Sequence, residues 1–389
     1  MAEIGVGLVG YKFMGRAHSN AYRQVARFFD VDPIPRMRAI CGRDEAGVRE
    51  AASTLGWEGY ETDFQTLIAR DDIGLIDVAT PSNTHRAVVL AALAAGKHVF
   101  CEKPLANSLD EAREMMIAAD QAGVVAAVNF NYRRVPAVQL AQQIIADGRI
   151  GEIRHWRAVY LQDWINDPEF PLVWRLRREV AGSGALGDIG AHIVDLAHFL
   201  VGPITEVIGT LDTYITERPL ETASGGGAGL TAAGSGERGK VTVDDATTFL
   251  ARFAGGASGV FEATRLAPGR RNRNAFEING STGTIVFDLE RLNELQVFFT
   301  DDPAGLQGFR TINVTDAEHP YAAAWWPPGH ILGYEHTFVH AVKDLLDGIR
   351  DGVSPAPTFA DGFRCQAVLD AVERSAASRG WTAPADADV

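Results

Sequence analysis

Between Val6 and Val128, five apolar runs alternate with five helical patterns. The runs are Val6–Val9, Met37–Cys41, Leu75–Ala79, His98–Cys101 and Val124–Val128. The helical patterns cover Ala17–Phe28, Ala46–Leu55, Phe64–Ala69, His85–Ala95 and Leu109–Ala122. Short unbroken apolar runs suit strands buried on both faces, and strands alternating with helices form a parallel sheet. Right-handed crossovers bring the C-terminal ends of such strands to one edge, where ligands of doubly wound folds bind. The predicted class is α/β, with an N-terminal Rossmann-type doubly wound parallel sheet.

The first run leads into "GYKFMG", Gly10–Gly15, and then a helix. This is the place of the G-x-G-x-x-G turn of dinucleotide sites. Gly10 and Gly15 keep the tight bend and the close helix packing. Lys12 stands where a middle glycine normally lets the backbone approach the pyrophosphate. Phosphate favours a helix N-terminus, so Gly10, Lys12, Phe13, Met14 and Gly15 are candidate cofactor residues. The Lys12 side chain is expected along the pyrophosphate or towards the substrate. The second strand ends "AICGRD": Gly42 stands where an acidic ribose-binding residue is usual, followed by Arg43 and Asp44. Arg43 suits stacking on adenine, a 2′-phosphate or a solvated loop, so this strand end leaves both NAD and NADP open.

The same edge should carry "TPSNTH", with Thr80, Pro81, Asn83 and His85, although Asn83 also suits a plain turn. It should also carry "CEKP", with Glu102 and Lys103. Ser108 is the expected N-cap of the helix that follows, with Glu111 at its third position. A charged pair straight after a buried strand is costly unless it serves something. Asn131, Tyr132 and Arg133 follow the last strand of this part and can reach the cofactor edge.

After residue 130 the pattern changes, giving expected domains of 1–130 and 131–389. A helix over Ala137–Asp147 precedes a strand over Glu152–Gln162 and a helix over Ala185–Leu200. From Val207 to Phe299 the chain reads as a large, mostly antiparallel open sheet with helices on one side. Ser224–Gly239 is glycine-rich and is expected to be a surface loop. Helices over Tyr334–Ile349 and Gly362–Ser378 end the chain and can pack back on the first domain. Asp188 and His192 lie four apart, hence on one face of a helix, a pairing that can tune a general base. Gln162, Asp163 and Trp164 end a strand, where they can grip hydroxyls and the apolar face of a sugar; Trp325, Trp326 and His336 are further candidates. His336 and His340 invite a metal reading, but no third ligand follows from spacing and no metal is expected.

A formal charge of −14 argues against a nucleic-acid partner. The three cysteines form no C-x-x-C pair and suit buried positions. No stretch is long enough to span a bilayer, and the first residues read as a strand rather than a leader, so a cytoplasmic protein is expected.

In combination, "GLVGYKFMGRAH", "ATPSNTH", "CEKPLA" and "GALGDIGAHIVDLAHFLVG" resemble the Gfo/Idh/MocA oxidoreductases along essentially the whole chain. "FNYRRVPAV", "YLQDW", "WR" (Trp174–Arg175), "AGSGALGDI", "ERPL" and "TFADG" are similar to its levoglucosan dehydrogenase branch and nearby bacterial sugar dehydrogenases. The resemblance implies hydride transfer between NAD and a secondary hydroxyl of a sugar or anhydrosugar, giving a 3-keto sugar where the substrate is levoglucosan-like. It implies Lys103, Asp188 and His192 as catalytic residues. Glu102, Asn131, Arg133, Trp174 and Arg175 would lie at the cofactor. Tyr132, Gln162, Asp163, Trp164, Trp325 and His336 would lie at the substrate. It also implies a homodimer or homotetramer formed through the C-terminal sheet. Alternatives on the same fold are an inositol or polyol dehydrogenase and an NAD-retaining glycosidase. A regulatory sensor would lack Lys103 or His192, and both are present.

Overall fold

The computed structural model of the chain describes residues 2–221 and 234–385. They fall into two compact units: 1–134 with Gly333–Phe363, and Val135–Leu332 with the residues from Arg364 onward. The boundary thus follows Arg134 rather than residue 130.

In the first unit the chain runs β1 (Glu3–Val9), α1 (Phe13–Phe28), β2 (Ile34–Cys41), α2 (Glu45–Leu55), β3 (Gly59–Glu61) and α3 (Phe64–Ile68). It continues β4 (Leu75–Val78), α4 (His85–Ala94), β5 (His98–Glu102), α5 (Leu109–Ala122) and β6 (Ala126–Asn129). The six strands form one parallel sheet in the order β3-β2-β1-β4-β5-β6. The order reverses between β1 and β4, which makes that crevice the switch point where a dinucleotide binds in such folds. β4 and β6 are buried at every residue, as their apolar runs predict. The Ser108 hydroxyl accepts from the Glu111 N–H at 3.3 Å and caps α5, as its sequence indicates. Strand β3 escapes the apolar-run reading because it has only three residues, all half-buried.

The second unit begins with α6 (Pro136–Ala146), β7 (Ile153–Leu161), α7 (Arg178–Ala181) and α8 (Ala191–Leu200). The strands β8 (Ile204–Asp212), β9 (Glu217–Glu221), β10 (Gly234–Lys240), β11 (Ala246–Phe253) and β12 (Ser258–Thr264) follow. After them come β13 (Arg273–Gly280), β14 (Gly283–Asp288), β15 (Glu294–Phe299) and β16 (Arg310–Asn313). Eight of these strands form a sheet in the order β16-β15-β14-β13-β7-β12-β11-β8. Its pairings are antiparallel except that of β12 with β7. Residues along β11 alternate between buried and exposed, the signature of a sheet covered on one face.

Of the expected Ser224–Gly239 loop, residues 224–233 lie outside the described ones, and Gly234–Gly239 is strand, paired with β9. A side chain at Gly239 would meet Leu220 and Leu172 at 2.6 and 2.7 Å, so glycine here serves close packing rather than a turn. The chain closes with α9 (Tyr334–Asp351), in the first unit, and α10 (Phe359–Ser378). No helix among the described residues is long and apolar enough to cross a membrane. All three cysteines are buried, as expected.

Candidate active site

In the first unit the cofactor turn is built by close approach. Gly10 has φ 106°. A Cβ on Gly10 would lie 2.7 Å from the Ala79 carbonyl oxygen, and one on Gly15 would lie 2.2 Å from the Gly10 oxygen. Both outer glycines are therefore required, and Phe13 opens α1 directly over the end of β1. Lys12 has φ −81°, which any residue adopts, so the turn accepts a lysine in its middle place. Its Nζ lies 4.8 Å from the centroid of the Tyr11 ring. Tyr11 in turn covers Gly42: a Cβ there would come within 2.3 Å of the ring, so any side chain at that position would displace Tyr11. The Tyr11 hydroxyl donates to Asp44 Oδ2 at 3.3 Å. Asp44, which the sequence reading passed over, is thus the ordered carboxylate beside this turn, two residues later than usual.

Thr80, Pro81 and Asn83 stand at the end of β4, with Asn83 exposed in a short 3₁₀ turn, Ser82–Thr84. His85, expected at the cofactor, is buried instead. Its Nε2 lies 2.9 Å from the Thr80 oxygen and its Nδ1 3.1 Å from the Pro104 oxygen, so it ties the β4 and β5 loops together. Burial holds its pKa below the ordinary histidine value. Glu102 is likewise buried, while Lys103 leads out of β5 and is half-buried. Asn131 and Arg133 turn inward: the Asn131 amide donates to Thr337 Oγ1 at 2.8 Å, and Arg133 lies 3.5 Å from Asp361. Tyr132 is buried beside Tyr334, with ring centroids 6.4 Å apart. These residues brace the site edge from within. His336 Nδ1 accepts from the Gly333 N–H at 3.0 Å and so closes the start of α9. His340 is core: burial pushes its pKa down to about 3, and Nδ1 meets the Arg134 oxygen at 2.9 Å.

In the second unit several of the expected substrate residues lie in polar and aromatic contact networks. The Gln162 amide donates to Asn272 Oδ1 at 2.8 Å, and the Tyr160 hydroxyl donates to the same oxygen at 2.9 Å. The Trp164 indole donates to Gln162 Oε1 at 3.1 Å. Asp163 is held by the Gly269 N–H and Arg271 at 3.1 and 3.2 Å. His192, at the start of α8, is 6% exposed, with its ring 5.7 Å from that of Tyr160. The expected helix over 185–200 opens with a π turn, Leu186–Gly190, which carries Asp188. Such wide turns recur at functional sites and change the angular spacing assumed for residues four apart. Asp188 Oδ2 meets Arg265 Nη2 at 2.9 Å and Arg175 Nε at 3.9 Å. Burial lowers the pKa of Arg175, and Asp188 opposes that. Arg175 in turn packs 4.3 Å over the Trp174 ring. Arg265, wholly buried, also lies 5.8 Å over the Trp164 ring. Arg265 and Asn272 contact these candidate residues, and no local pattern announces them. Trp325 is buried.

Residues 4–130 match the oxidoreductase family with an NAD-binding Rossmann fold, and residues 138–286 match the GFO/IDH/MocA C-terminal domain. The chain belongs to the GFO/IDH/MocA oxidoreductase family. It is 44% identical to levoglucosan dehydrogenase of Pseudarthrobacter phenanthrenivorans over 98% of both chains. A solved levoglucosan dehydrogenase in complex with NADH and levoglucosan superposes with a TM-score of 0.93 at 42% identity, covering 99% of this chain and 100% of that one. An oxidoreductase domain protein from Kribbella flavida gives 0.94 at 53% identity, with 99% and 100% covered.

As a member of this family the chain is an NAD-dependent oxidoreductase, and the expected fold class holds in both units. The turn fits its cofactor, since Gly10 and Gly15 leave no room for side chains where α1 begins. Among the described residues no group of three or more metal-ligating side chains is assembled.

Proposed function

We propose that the protein oxidises one secondary hydroxyl of a levoglucosan-like anhydrosugar, at its 3-position, with NAD as the acceptor. The observation that carries this reading is the full-length 44% identity to levoglucosan dehydrogenase. The cluster around Gln162, Trp164, Asp188 and His192 supports it, because a sugar needs hydroxyl partners and a flat apolar face together.

NAD supplies the hydride acceptor. The turn residues Gly10, Lys12, Phe13, Met14 and Gly15 hold its phosphates, and Thr80, Pro81, Asn83, Trp174 and Arg175 line its path. Asp44 takes the ribose end, with Arg43 beside it. Trp164 stacks on the sugar face, while Gln162 and Asp163 bind hydroxyls. An imidazole nitrogen of His192 takes the proton from the reacting hydroxyl. The Lys103 ammonium donates to that oxygen as it gains negative charge, and Asp188 compensates the charge that His192 acquires. The protein works in the cytoplasm as a homodimer or homotetramer joined through the eight-stranded sheet.

The test is appearance of free NADH with anhydrosugars, pyranoses, inositols and other polyols, each with NAD and NADP. Levoglucosan with NAD should give the highest kcat/KM. A flat trace across the panel would overturn the reading, and an NAD-retaining glycosidase would give that result.

Lys12 has its own expected outcome. Its ammonium sits at the turn on the Tyr11 side. Lys12→Gly should raise the Michaelis constant for NAD by about fivefold, the scale of a partly exposed charge contact. The constant for the sugar should stay unchanged. Steady-state kinetics with each substrate varied in turn decide this, and two unchanged constants would remove Lys12 from the site.

A further inference from the structure

Directly beneath Lys103 the first unit buries a chain of charge that the roles above leave unused. His18, on α1, is fully buried between Asp77 on β4 and Glu102 at the end of β5. Its Nδ1 lies 2.8 Å from Asp77 Oδ2, and its Nε2 lies 2.9 Å from Glu102 Oε1. Ionised carboxylates only accept, so with Asp77 and Glu102 both ionised each ring nitrogen carries a proton, although the Asn129 amide nitrogen also lies 3.1 Å from Nε2. Two such contacts describe an imidazolium. The Tyr22 hydroxyl donates to Asp77 Oδ2 at 2.8 Å, and the Asn129 amide donates to Glu102 Oε1 at 2.6 Å. The rings of Phe100 and Phe338 close the site at 5.5 and 5.4 Å from the His18 ring. The other ionisable groups near Glu102 are Lys103, His85 and the buried Cys101 thiol. Glu102 Oε2, the remaining oxygen, accepts the backbone N–H of Lys103 at 3.1 Å.

We propose that His18, as a charged imidazolium between two buried carboxylates, is a positioning residue for hydride transfer. It fixes Glu102, and through Glu102 the backbone that presents Lys103 at the sheet edge. The inference rests on the role of Lys103 in the proposed function. Two carboxylates buried together would repel, and one would turn outward or take up a proton. With His18 between them the trio carries one net negative charge, matched by Lys103. Both oxygens of Glu102 are then committed to fixed donors, which sets the direction in which β5 delivers the lysine. Burial by itself would push His18 down, but Asp77 and then Glu102 override it and hold the imidazole near a pKa of about 10. The charge therefore persists across the neutral range. Because the folded pKa lies above the ordinary 6.5, the stability it supplies is complete below pH 6.5 and is lost as pH climbs through about 10.

The test uses His18→Gln, which keeps an amide donor and removes the charge, in the full chain. Turnover should fall by roughly tenfold or more, while the Michaelis constant for NAD moves by less than about threefold. In a Lys103→Ala background the same change should cost nothing further, since coupled residues are not additive. Ring ¹⁵N spectra of the wild type should show His18 doubly protonated at neutral pH, a signal lost in Asp77→Asn. Equal losses in both backgrounds, full turnover in folded His18→Gln, or a neutral ring would each overturn the proposal. If His18→Gln does not fold, His18→Gln with Asp77→Asn relieves one uncompensated carboxylate and takes its place. If levoglucosan proves not to be the substrate, any sugar that yields NADH serves the same cycle, and the spectra need no substrate.

Discussion

Replacing His192 by alanine should lower turnover by roughly a hundredfold or more, the usual scale for loss of a general base. The argument begins with its place. His192 opens α8, is almost fully buried, and lies against Tyr160, whose hydroxyl joins Gln162 at Asn272. A base buried beside the proposed sugar-binding cluster can take a hydroxyl proton without competition from bulk water. The phosphates and ribose of NAD are held by other residues in the proposed scheme, so its affinity should not move. The measurement is kcat and both Michaelis constants, with NADH binding followed by fluorescence. Near-wild-type turnover in a folded His192→Ala protein would remove the role. A loss confined to the Michaelis constants would make His192 a binding residue instead. Lys103→Met should show a similar fall, since it removes the positive charge that meets the developing alkoxide.

Much of the first unit was legible because its information is local. The apolar runs mark β1, β2, β4, β5 and β6, and Gly10 and Gly15 mark the turn that the structure builds from close backbone contacts. The edge order followed from topology, which placed Lys103 correctly at the end of β5. What stayed hidden depends on contacts across the chain. Asp77 reads as one polar residue inside "LIDVA", and nothing in that stretch tells that His18, 59 positions earlier, will bond to it. Asp44 was passed over because the usual acidic position is Gly42, and only the structure shows Tyr11 occupying that space. Asp188 and His192 were paired on helical spacing, which gives no sign that Asp188 also meets Arg265, 77 positions later. The composition of Gly234–Gly239 suggested a loop, whereas bare backbone there lets leucines pack against a strand. Asn131 and Arg133 were placed at the cofactor edge by sequence adjacency, which gives no sign of their bonds to Thr337 and Asp361, more than 200 positions later.

Arg265 leads to the largest expected effect on stability. Its side chain has no exposure, and its Nη2 meets both Asp188 Oδ2 at 2.9 Å and the Gly184 oxygen at 3.0 Å. Removing one partner of a buried ion pair costs about 3–5 kcal/mol, because the other charge is left without compensation. Asp188 retains 28% side-chain exposure and has Arg175 at 3.9 Å, so Arg265→Met should fall at the lower end, about 3 kcal/mol. The double variant Arg265→Met with Asp188→Asn should recover part of that loss, since it leaves no stranded charge. Denaturant unfolding of the wild type, both single variants and the double variant measures this cycle. A loss below about 1 kcal/mol would class the contact with exposed salt bridges and deny Arg265 its role. Turnover adds a second expectation. Arg265 also packs on Trp164 and bonds the backbone that leads into the π turn, so its loss should loosen the proposed sugar-binding cluster and the support of Asp188 together. The Michaelis constant for the sugar should rise and kcat should fall, while NADH affinity stays as it was. A fall in NADH affinity with sugar kinetics intact would instead assign this cluster to the cofactor.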